Sequence, residues 1–393
     1  MITLASVELC SGCTACKAAC PKQAISMVAD HEGFLRPQID VEKCVQCHAC
    51  ERACPVLHPR EPDATPTCYA ARTKDDALRM ASSSGGLFTE LARPILAKGG
   101  VVFGCVWEKP ALVAIHTKAE TEDELAAMRG SKYVQSDLRD TYREAKAELQ
   151  KGREVLFSGT PCQIAGLNHY LGKTYPNLLT VEIVCHGVPS PAVFEKFKQE
   201  MLHSVGEYPC EIFFKDKRKG WKLPSLVVKV PSKKEVVQPC YASPFGTVLL
   251  KGLALRPSCY ACVSKNGKSG ADVSIADFWG IDKAIPLLDD NTGISAIFLH
   301  TERAKQFCST LPIEMHAVTV LNATQYNPSY YSSSPCAPSR ALFMKRFKSK
   351  SLKHVVLRCT EGIWFKRVVM RTLRFGMRVF RFGRRCIWAA IKR

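Results

Sequence analysis

The chain reads Cys10-x2-Cys13-x2-Cys16-x3-Cys20-Pro21 near its start, and the same pattern returns as Cys44-x2-Cys47-x2-Cys50-x3-Cys54-Pro55. A cubane iron–sulfur cluster needs four thiolates converging on one small volume. A Cys-x-x-Cys-x-x-Cys loop supplies three of them, and the fourth comes from the other run. Cys54 is therefore expected to complete the set of Cys10, Cys13 and Cys16. Cys20 is expected to complete the set of Cys44, Cys47 and Cys50. Pro21 and Pro55 turn the chain away after each crossing ligand.

Two other chemistries use clustered cysteines. Disulfide frameworks belong to short secreted chains, and residues 1–9 show no basic region followed by a long apolar run, so no signal peptide is expected. Zinc uses Cys-x-x-Cys pairs, but not two identical four-cysteine runs each closed by proline. The spacing is that of a bacterial-type ferredoxin carrying two [4Fe–4S] clusters. Between the runs, Ala24–Val28 and Phe34–Ile39 flank Asp30-His31-Glu32-Gly33 and read as a hairpin. Residues 57–67 are rich in proline and read as a linker.

At 393 residues the chain has room for two or three domains. Its 20 cysteines imply a reducing interior, so the expected location is the cytoplasm. No run approaches the roughly 18 apolar residues of a spanning helix. The net charge of +19 is concentrated: residues 340–393 hold 17 Lys and Arg against Glu361 alone, which leaves +3 for the rest. That balance argues against a chain-wide nucleic-acid surface. After Ser339, Val355, Val356, Trp364, Phe365, Phe380 and Trp388 recur among the arginines. The pattern reads as a basic amphipathic helical tail suited to an anionic membrane surface, a peripheral contact at the inner face of the membrane.

Downstream of the linker, chemistry-bearing residues fall at turns. Ser82-Ser83-Ser84-Gly85-Gly86 precedes a helical pattern from Leu87. Bare backbone N–H groups at a helix start suit an anionic cofactor group, and a plain N-cap is the competing reading. Val101–Trp107 reads as a buried strand. Gly130-Ser131-Lys132-Tyr133-Val134-Gln135-Ser136 gathers lysine, tyrosine and hydroxyls in one loop. The strand at 154–157 runs into Gly159-Thr160-Pro161-Cys162-Gln163, which puts Cys162 near a helix N-terminus, a place that favours a thiolate. A second strand, 178–184, delivers Cys185-His186-Gly187. Two strands ending in cysteine at one sheet edge would make a shared site; the competing reading is a pair of small buried apolar residues. Strands are also expected at 211–214, 225–230 and 296–300, with Cys259-Tyr260-Ala261-Cys262 between them.

Taken in order, Ser-Ser-Gly-Gly at 83–86, the 130–136 loop, Gly-Thr-Pro-Cys-Gln at 159–163, Cys-His-Gly at 185–187, the Cys259/Cys262 pair and Ala-Asp-Val-Ser through Asp-Phe-Trp-Gly at 271–280 resemble the coenzyme F-420 hydrogenase/dehydrogenase β-subunit family. The resemblance covers roughly residues 1–310, with the fused ferredoxin included. It implies an α+β fold: a ferredoxin module (1–60) and a mixed α/β flavin-binding core (67–150 and 151–320), which the basic tail read above (340–393) follows. It implies FAD, and a further [4Fe–4S] cluster in the core, for which Cys162, Cys185, Cys259 and Cys262 are the expected ligands. Ser84, Gly85, Gly86, Lys132 and Thr160 become the expected cofactor contacts. Lys215 and Arg218 are expected to meet anionic groups of cofactor or substrate, and His186 to donate a proton. The activity implied is an iron–sulfur flavoprotein oxidoreductase acting on a small-molecule substrate or a redox partner protein. Bacterial look-alikes are linked to surface-polysaccharide gene sets, which by analogy alone points to a sugar or lipid-linked substrate. The other readings are an electron-transfer subunit that docks on a separate catalytic protein, and a binding module whose clusters are structural.

Overall fold

The computed structural model describes residues 2–62 and 65–360. Its strands in chain order are β1 (Ile25–Ala29), β2 (Leu35–Ile39), β3 (Thr67–Thr73), β4 (Val101–Glu108), β5 (Val113–Ala119), β6 (Val155–Gly159), β7 (Leu178–Ile183), β8 (Glu211–Asp216), β9 (Ser225–Lys229), β10 (Glu235–Pro239), β11 (Val273–Asp277), β12 (Ser295–Leu299) and β13 (Ile313–Val318). Eight of them form one sheet in the order β13-β3-β12-β11-β7-β6-β4-β5. The neighbours β11, β7, β6 and β4 are mutually parallel, and β5, β12 and β13 run the other way. The sheet draws strands from both sides of residue 150, so the expected halves 67–150 and 151–320 share one central layer.

Both faces of the sheet are covered, which is why its central strands read as continuous apolar runs. Val102, Leu156, Leu179 and Val181 point to one face, against Leu87, Leu91 and Ile95 of helix Leu87–Ala97. Val101, Phe103, Val155 and Phe157 point to the other, against helices Thr141–Gln150 and Pro161–Leu171. The alternation along β4 and β6 follows the two-residue period of a strand.

The ferredoxin module is the antiparallel hairpin β1–β2 with a short helix after each cysteine loop, Ala15–Ala19 and Ala49–Arg52. It is not held by its linker alone. Cys13, Ala15 and Ala53 belong to the same apolar cluster as Phe103 and Phe157. Arg143 donates to the carbonyls of Lys17, Ala18 and Cys20 at 2.9–3.2 Å.

A second, three-stranded antiparallel sheet, β10-β9-β8, packs with helix Pro191–Val205. Here the tail expectation needs correction. Phe343, Phe347, Leu352, Val355, Val356 and Cys359 are buried in this cluster. Residues 340–360 are therefore part of the folded body, because their apolar face has Phe194, Phe245 and Val248 to cover it. The remainder of the expected tail, 361–393, lies outside the described residues. Among the described residues no helix is long and apolar enough to cross a membrane.

Candidate iron–sulfur sites

The two cysteine loops have the same backbone. Gly12 and Thr14 are left-handed in the first (φ 68° and 61°), and Gln46 and His48 at the matching positions of the second (φ 51° and 56°). A left-handed non-glycine residue costs about 1–2 kcal/mol. Its recurrence at equivalent places is strain concentrated where the loop must turn its thiols inward. Cys20, Cys44, Cys47 and Cys50 line one cavity, so the crossing ligand from the first run joins the three from the second. Cys16 has Cys10 and Cys54 near it, and Cys13 has Cys16 and Cys54. Burial, with the neighbouring thiols of Cys10 and Cys54, pushes the Cys16 thiol up to about 12. Cys13 is pushed up by burial and then by Cys16, Cys162 and Cys54. Crowded buried thiols of this kind resist ionising on their own, and bound iron supplies the positive charge that ionises them.

The ends of the parallel strands carry the third set. β6 and β7 are adjacent, with Gly159 opposite Glu182, and the chain leaves them towards Cys162 and Cys185. Helix Pro257–Ala261 brings Cys259, with Cys262 directly after it. All four cysteines line a single cavity with Ser11, Gln135, Thr160, His186, Gly187, Arg256 and Lys265. Gly187, at φ 144°, lies against Cys259: a Cβ there would come within 3.2 Å of the Cys259 Cβ. Ligand sites at the carboxyl ends of parallel strands are the rule in open α/β sheets.

Burial works against the thiolate that a helix N-terminus is expected to favour at Cys162 and, with the nearby Cys262 and Cys185, pushes this thiol up to about 12. The Thr160 hydroxyl, 3.3 Å from the Cys162 sulfur, opposes the shift. Cys185 is also raised by burial, and Lys265 opposes that. Among the described residues two buried side-chain atoms have no hydrogen-bond partner, Ser11 Oγ and His186 Nε2. Both residues line this cavity. Buried polar atoms are normally satisfied, and the sulfides and thiolates of a cluster are the acceptors such groups lack. The donor set fits the group. No three His, Cys, Asp or Glu side chains among the described residues gather tightly enough for a single metal ion; a cubane spreads its ligands wider than one ion does.

The expected flavin contacts divide. Ser84 Oγ donates to the Ile294 carbonyl, and its own carbonyl accepts from Lys217 Nζ at 2.7 Å. Gly85 fits against β3, where a Cβ would meet the Ala71 carbonyl at 2.5 Å, and its N–H goes to Ser295. Gly86 (φ 84°) starts helix Leu87–Ala97 with no side-chain cap. Ser83 accepts from the Ser131 backbone at 2.7 Å, which ties this turn to the 130–136 loop. Lys132 in that loop points to the carbonyls of Met128, Arg129 and Gly130. Tyr133 meets Tyr241 at 3.2 Å, Tyr241 packs edge-on to Trp279, and Trp279 stacks on Trp221. Lys215 lies over Trp279 and is held by Asp277 at 2.5 Å. Ser84, Gly85, Gly86, Lys132 and Lys215 are thus linked around one end of the sheet. Thr160 belongs with the cysteine cavity instead. Arg218 is turned to the surface, where Asp216 and Glu235 occupy its guanidinium.

Sequence reasoning missed Lys217, Arg256 and Lys265. Lys217 is buried, and burial with Lys215 and Arg79 pushes it down to about 7. Its three carbonyl acceptors (Arg79, Ser84, Thr292) nevertheless call for the ammonium form, the only one with three protons to donate. Lys265 donates to the Cys185 carbonyl at 2.5 Å. The available signal was a cation three residues before Cys259 and another three after Cys262.

Comparison with known proteins agrees with this architecture. The family model described as coenzyme F420 hydrogenase/dehydrogenase, beta subunit N-term, matches residues 68–141, and its C-terminus counterpart matches 152–320. A 4Fe-4S dicluster domain matches 9–57. Among solved structures, the F420-reducing [NiFe] hydrogenase complex from Methanosarcina barkeri, studied by xenon derivatization, aligns at 15% identity over 78% of this chain and 94% of that one, with a TM-score of 0.46. No curated protein matches the chain significantly. With its dicluster domain ahead of both family regions, the chain is an iron–sulfur electron-transfer protein that belongs to the coenzyme F420 hydrogenase/dehydrogenase β-subunit family.

Proposed function

We propose that the chain is a flavin-dependent oxidoreductase in which Cys162, Cys185, Cys259 and Cys262 hold a third [4Fe–4S] cluster, and Ser84, Gly85, Gly86, Lys132 and Lys215 contact FAD. The observation that carries this reading is the four-cysteine cavity that also contains both orphaned polar atoms, Ser11 Oγ and His186 Nε2. When bound, the clusters supply single-electron transfer, and the flavin supplies the pairing of two electrons for delivery as a hydride equivalent.

The chain's own residues hold and orient. Thr160 fixes the Cys162 sulfur, and Lys265 fixes the Cys185 backbone. His186 was expected to donate a proton to substrate. Its place among the cysteines, and the burial that lowers its pKa, support a hydrogen bond into the cavity instead. Lys217 pins the Ser-Gly-Gly turn by bridging the Ser84 and Thr292 carbonyls. The uncapped start of helix Leu87–Ala97 presents a positive end suited to a phosphate. The acceptor we propose is the class carried by the analogy, a surface sugar or lipid-linked sugar, to be checked by product analysis on anaerobic cell extract.

One feature favours docking on a second protein. Around the outermost cysteine set, Cys47 is exposed and Val41 and Val45 are bare to solvent, an apolar rim for a redox partner. The deciding experiment is anaerobic purification with flavin quantified, followed by chemical reduction and addition of an artificial acceptor. Bound flavin and turnover by the chain alone support the oxidoreductase. Reducible clusters without flavin or turnover would leave an electron-transfer subunit.

A further inference from the structure

Two arginines are buried among the described residues, Arg79 and Arg256; Arg79 is paired with a carboxylate, as is the half-buried Arg340. Arg79 is held by both oxygens of Asp290, and Arg340 by both oxygens of Glu32. Arg256 is only 1% exposed. Its donors go to neutral acceptors: Nε to the Cys10 carbonyl at 2.9 Å, one terminal nitrogen to Gln135 Oε1 at 2.6 Å, and the other to the Leu35 carbonyl at 2.6 Å. Its guanidinium lies over the Phe34 ring at 5.1 Å. No Asp or Glu among the described residues comes within ion-pair distance of it. A buried, uncompensated charge costs several kcal/mol.

Two cysteine sets flank Arg256: it donates to the Cys10 carbonyl on one side and shares a cavity lining with Cys162 and Cys259 on the other. The cation nearest it, Arg36, is already paired with Asp30 at 3.0 Å. The cysteine loop is shaped around the guanidinium: a Cβ on Gly12 would fall 2.6 Å from both terminal nitrogens. Arg256 also lines the cavity of the core cysteines.

We propose that Arg256 is the shared countercation of the Cys10/Cys13/Cys16/Cys54 set and the Cys162/Cys185/Cys259/Cys262 set, and that it raises the reduction potential of the groups they hold. A cluster on four thiolates is anionic, and its potential follows net charge and local hydrogen bonds. Reduction adds one electron without moving an atom. A fixed cation in a water-poor seam stabilises the reduced form more than the oxidised one. Because both sets flank Arg256, it keeps the two potentials in step where an electron must cross from module to core. The half of the proposal at Cys259 rests on the third-cluster reading above.

The test is an anaerobic potentiometric titration, followed by electron paramagnetic resonance, on the full-length protein and on Arg256→Gln and Arg256→Lys. In Arg256→Gln two of three reduction steps should move to more negative potential, by at least tenfold in the oxidised-to-reduced ratio at fixed poise, or about 59 mV for a one-electron couple. The step of the Cys20/Cys44/Cys47/Cys50 set should stay in place. Arg256→Lys should keep near wild-type potentials, because it keeps the charge. Unmoved potentials in iron-replete Arg256→Gln would overturn the proposal, as would an equal shift in Arg256→Lys, which would make the guanidinium a docking fork only. If Arg256→Gln fails to load iron, Arg256→Lys decides: normal loading with normal potentials upholds the charge, and failure of both overturns it. Iron content separates this from the third-cluster reading. About eight irons per wild-type chain would remove the core cluster and leave a shift at the Cys10 set as the remaining test of Arg256.

Discussion

Arg340 grips both carboxylate oxygens of Glu32, at 3.1 and 2.5 Å, across 308 residues of sequence. Glu32 is the tip of the ferredoxin hairpin, and Arg340 opens helix Arg340–Arg346. The same tip is held from below, where the Glu32 carbonyl accepts from the Ser190 hydroxyl at 2.5 Å and from the Ala192 backbone. The module is therefore clamped from two directions onto the core that carries Cys185. Removing one partner of a buried pair costs about 3–5 kcal/mol at full burial, and partial exposure here reduces that. Arg340→Met should lower stability by about 1–3 kcal/mol and open the 57–67 linker to proteolysis. Cleavage rates equal to wild type would show that the clamp does not hold the module.

Gly166 faces the ferredoxin loop. A Cβ there would lie 2.9 Å from the Cys13 Cβ, 3.0 Å from its sulfur and 2.9 Å from the Tyr142 hydroxyl. Two effects compete in Gly166→Ala. Helix propensity alone would stabilise helix Pro161–Leu171 by about 1 kcal/mol. Overpacking costs about 1–3 kcal/mol, and three contacts at or under 3.0 Å make it the larger. The substitution should destabilise the protein and lower its iron content. A stabilised, fully loaded variant would mean that the seam is looser than described.

His116 gives a pH dependence. It is buried; its Nε2 faces the Ser158 carbonyl at 2.8 Å, so that nitrogen carries the proton, and Nδ1 accepts from the Ser136 hydroxyl. Burial pushes its pKa down to about 4, with the Ser158 hydrogen bond opposing. Because the folded value lies below the unfolded one of about 6.5, the contribution is complete above that pH. It is lost as pH falls towards 4, where the unfolded chain takes up a proton and the fold does not. At about 1.4 kcal/mol per pKa unit, His116 accounts for about 2 kcal/mol of the stability lost between pH 7 and pH 5. His116→Gln should flatten that fall in anaerobic urea unfolding. Parallel curves for both proteins would assign the acid lability elsewhere.

The basic tail predicts two different truncations. Ending the chain at Ser339 strips Phe343, Phe347, Leu352, Val355 and Val356 from the core. At about 1.5–3 kcal/mol each, that rivals the whole stability margin of roughly 5–15 kcal/mol, and the product should not fold. Ending it at Thr360 keeps those side chains and should leave a folded body. It should lose co-sedimentation with anionic vesicles, which in the full chain weakens with salt. Equal vesicle binding with and without residues 361–393 would dismiss the tail as an anchor.

What was legible follows from range. The ferredoxin ligands lie close together in sequence, so spacing alone assigns them. Cys162 and Cys185 were legible because each follows an apolar strand, and adjacent parallel strands carry them to one edge. The eight-stranded sheet was harder. β3, β5 and β13 mix polar with apolar residues, and β3 pairs with strands more than 200 residues away. Arg218 misled because a basic turn resembles an anion site; its carboxylate partners sit two and seventeen residues away. Residues 340–360 misled for a related reason. Their three-and-four spacing does mark an apolar face, but periodicity does not say whether lipid or protein covers it.

The central claim is that three cysteine sets lie in sequence, with Cys13 packed at the seam against helix Pro161–Leu171, the helix that carries Cys162. Its most direct test is iron and sulfide per chain, measured anaerobically in the wild-type protein and in Cys262→Ser. The account predicts about twelve irons in the first and about eight in the second, with the ferredoxin signals unchanged. About eight irons in both would contradict it and return Cys162, Cys185, Cys259 and Cys262 to a structural role.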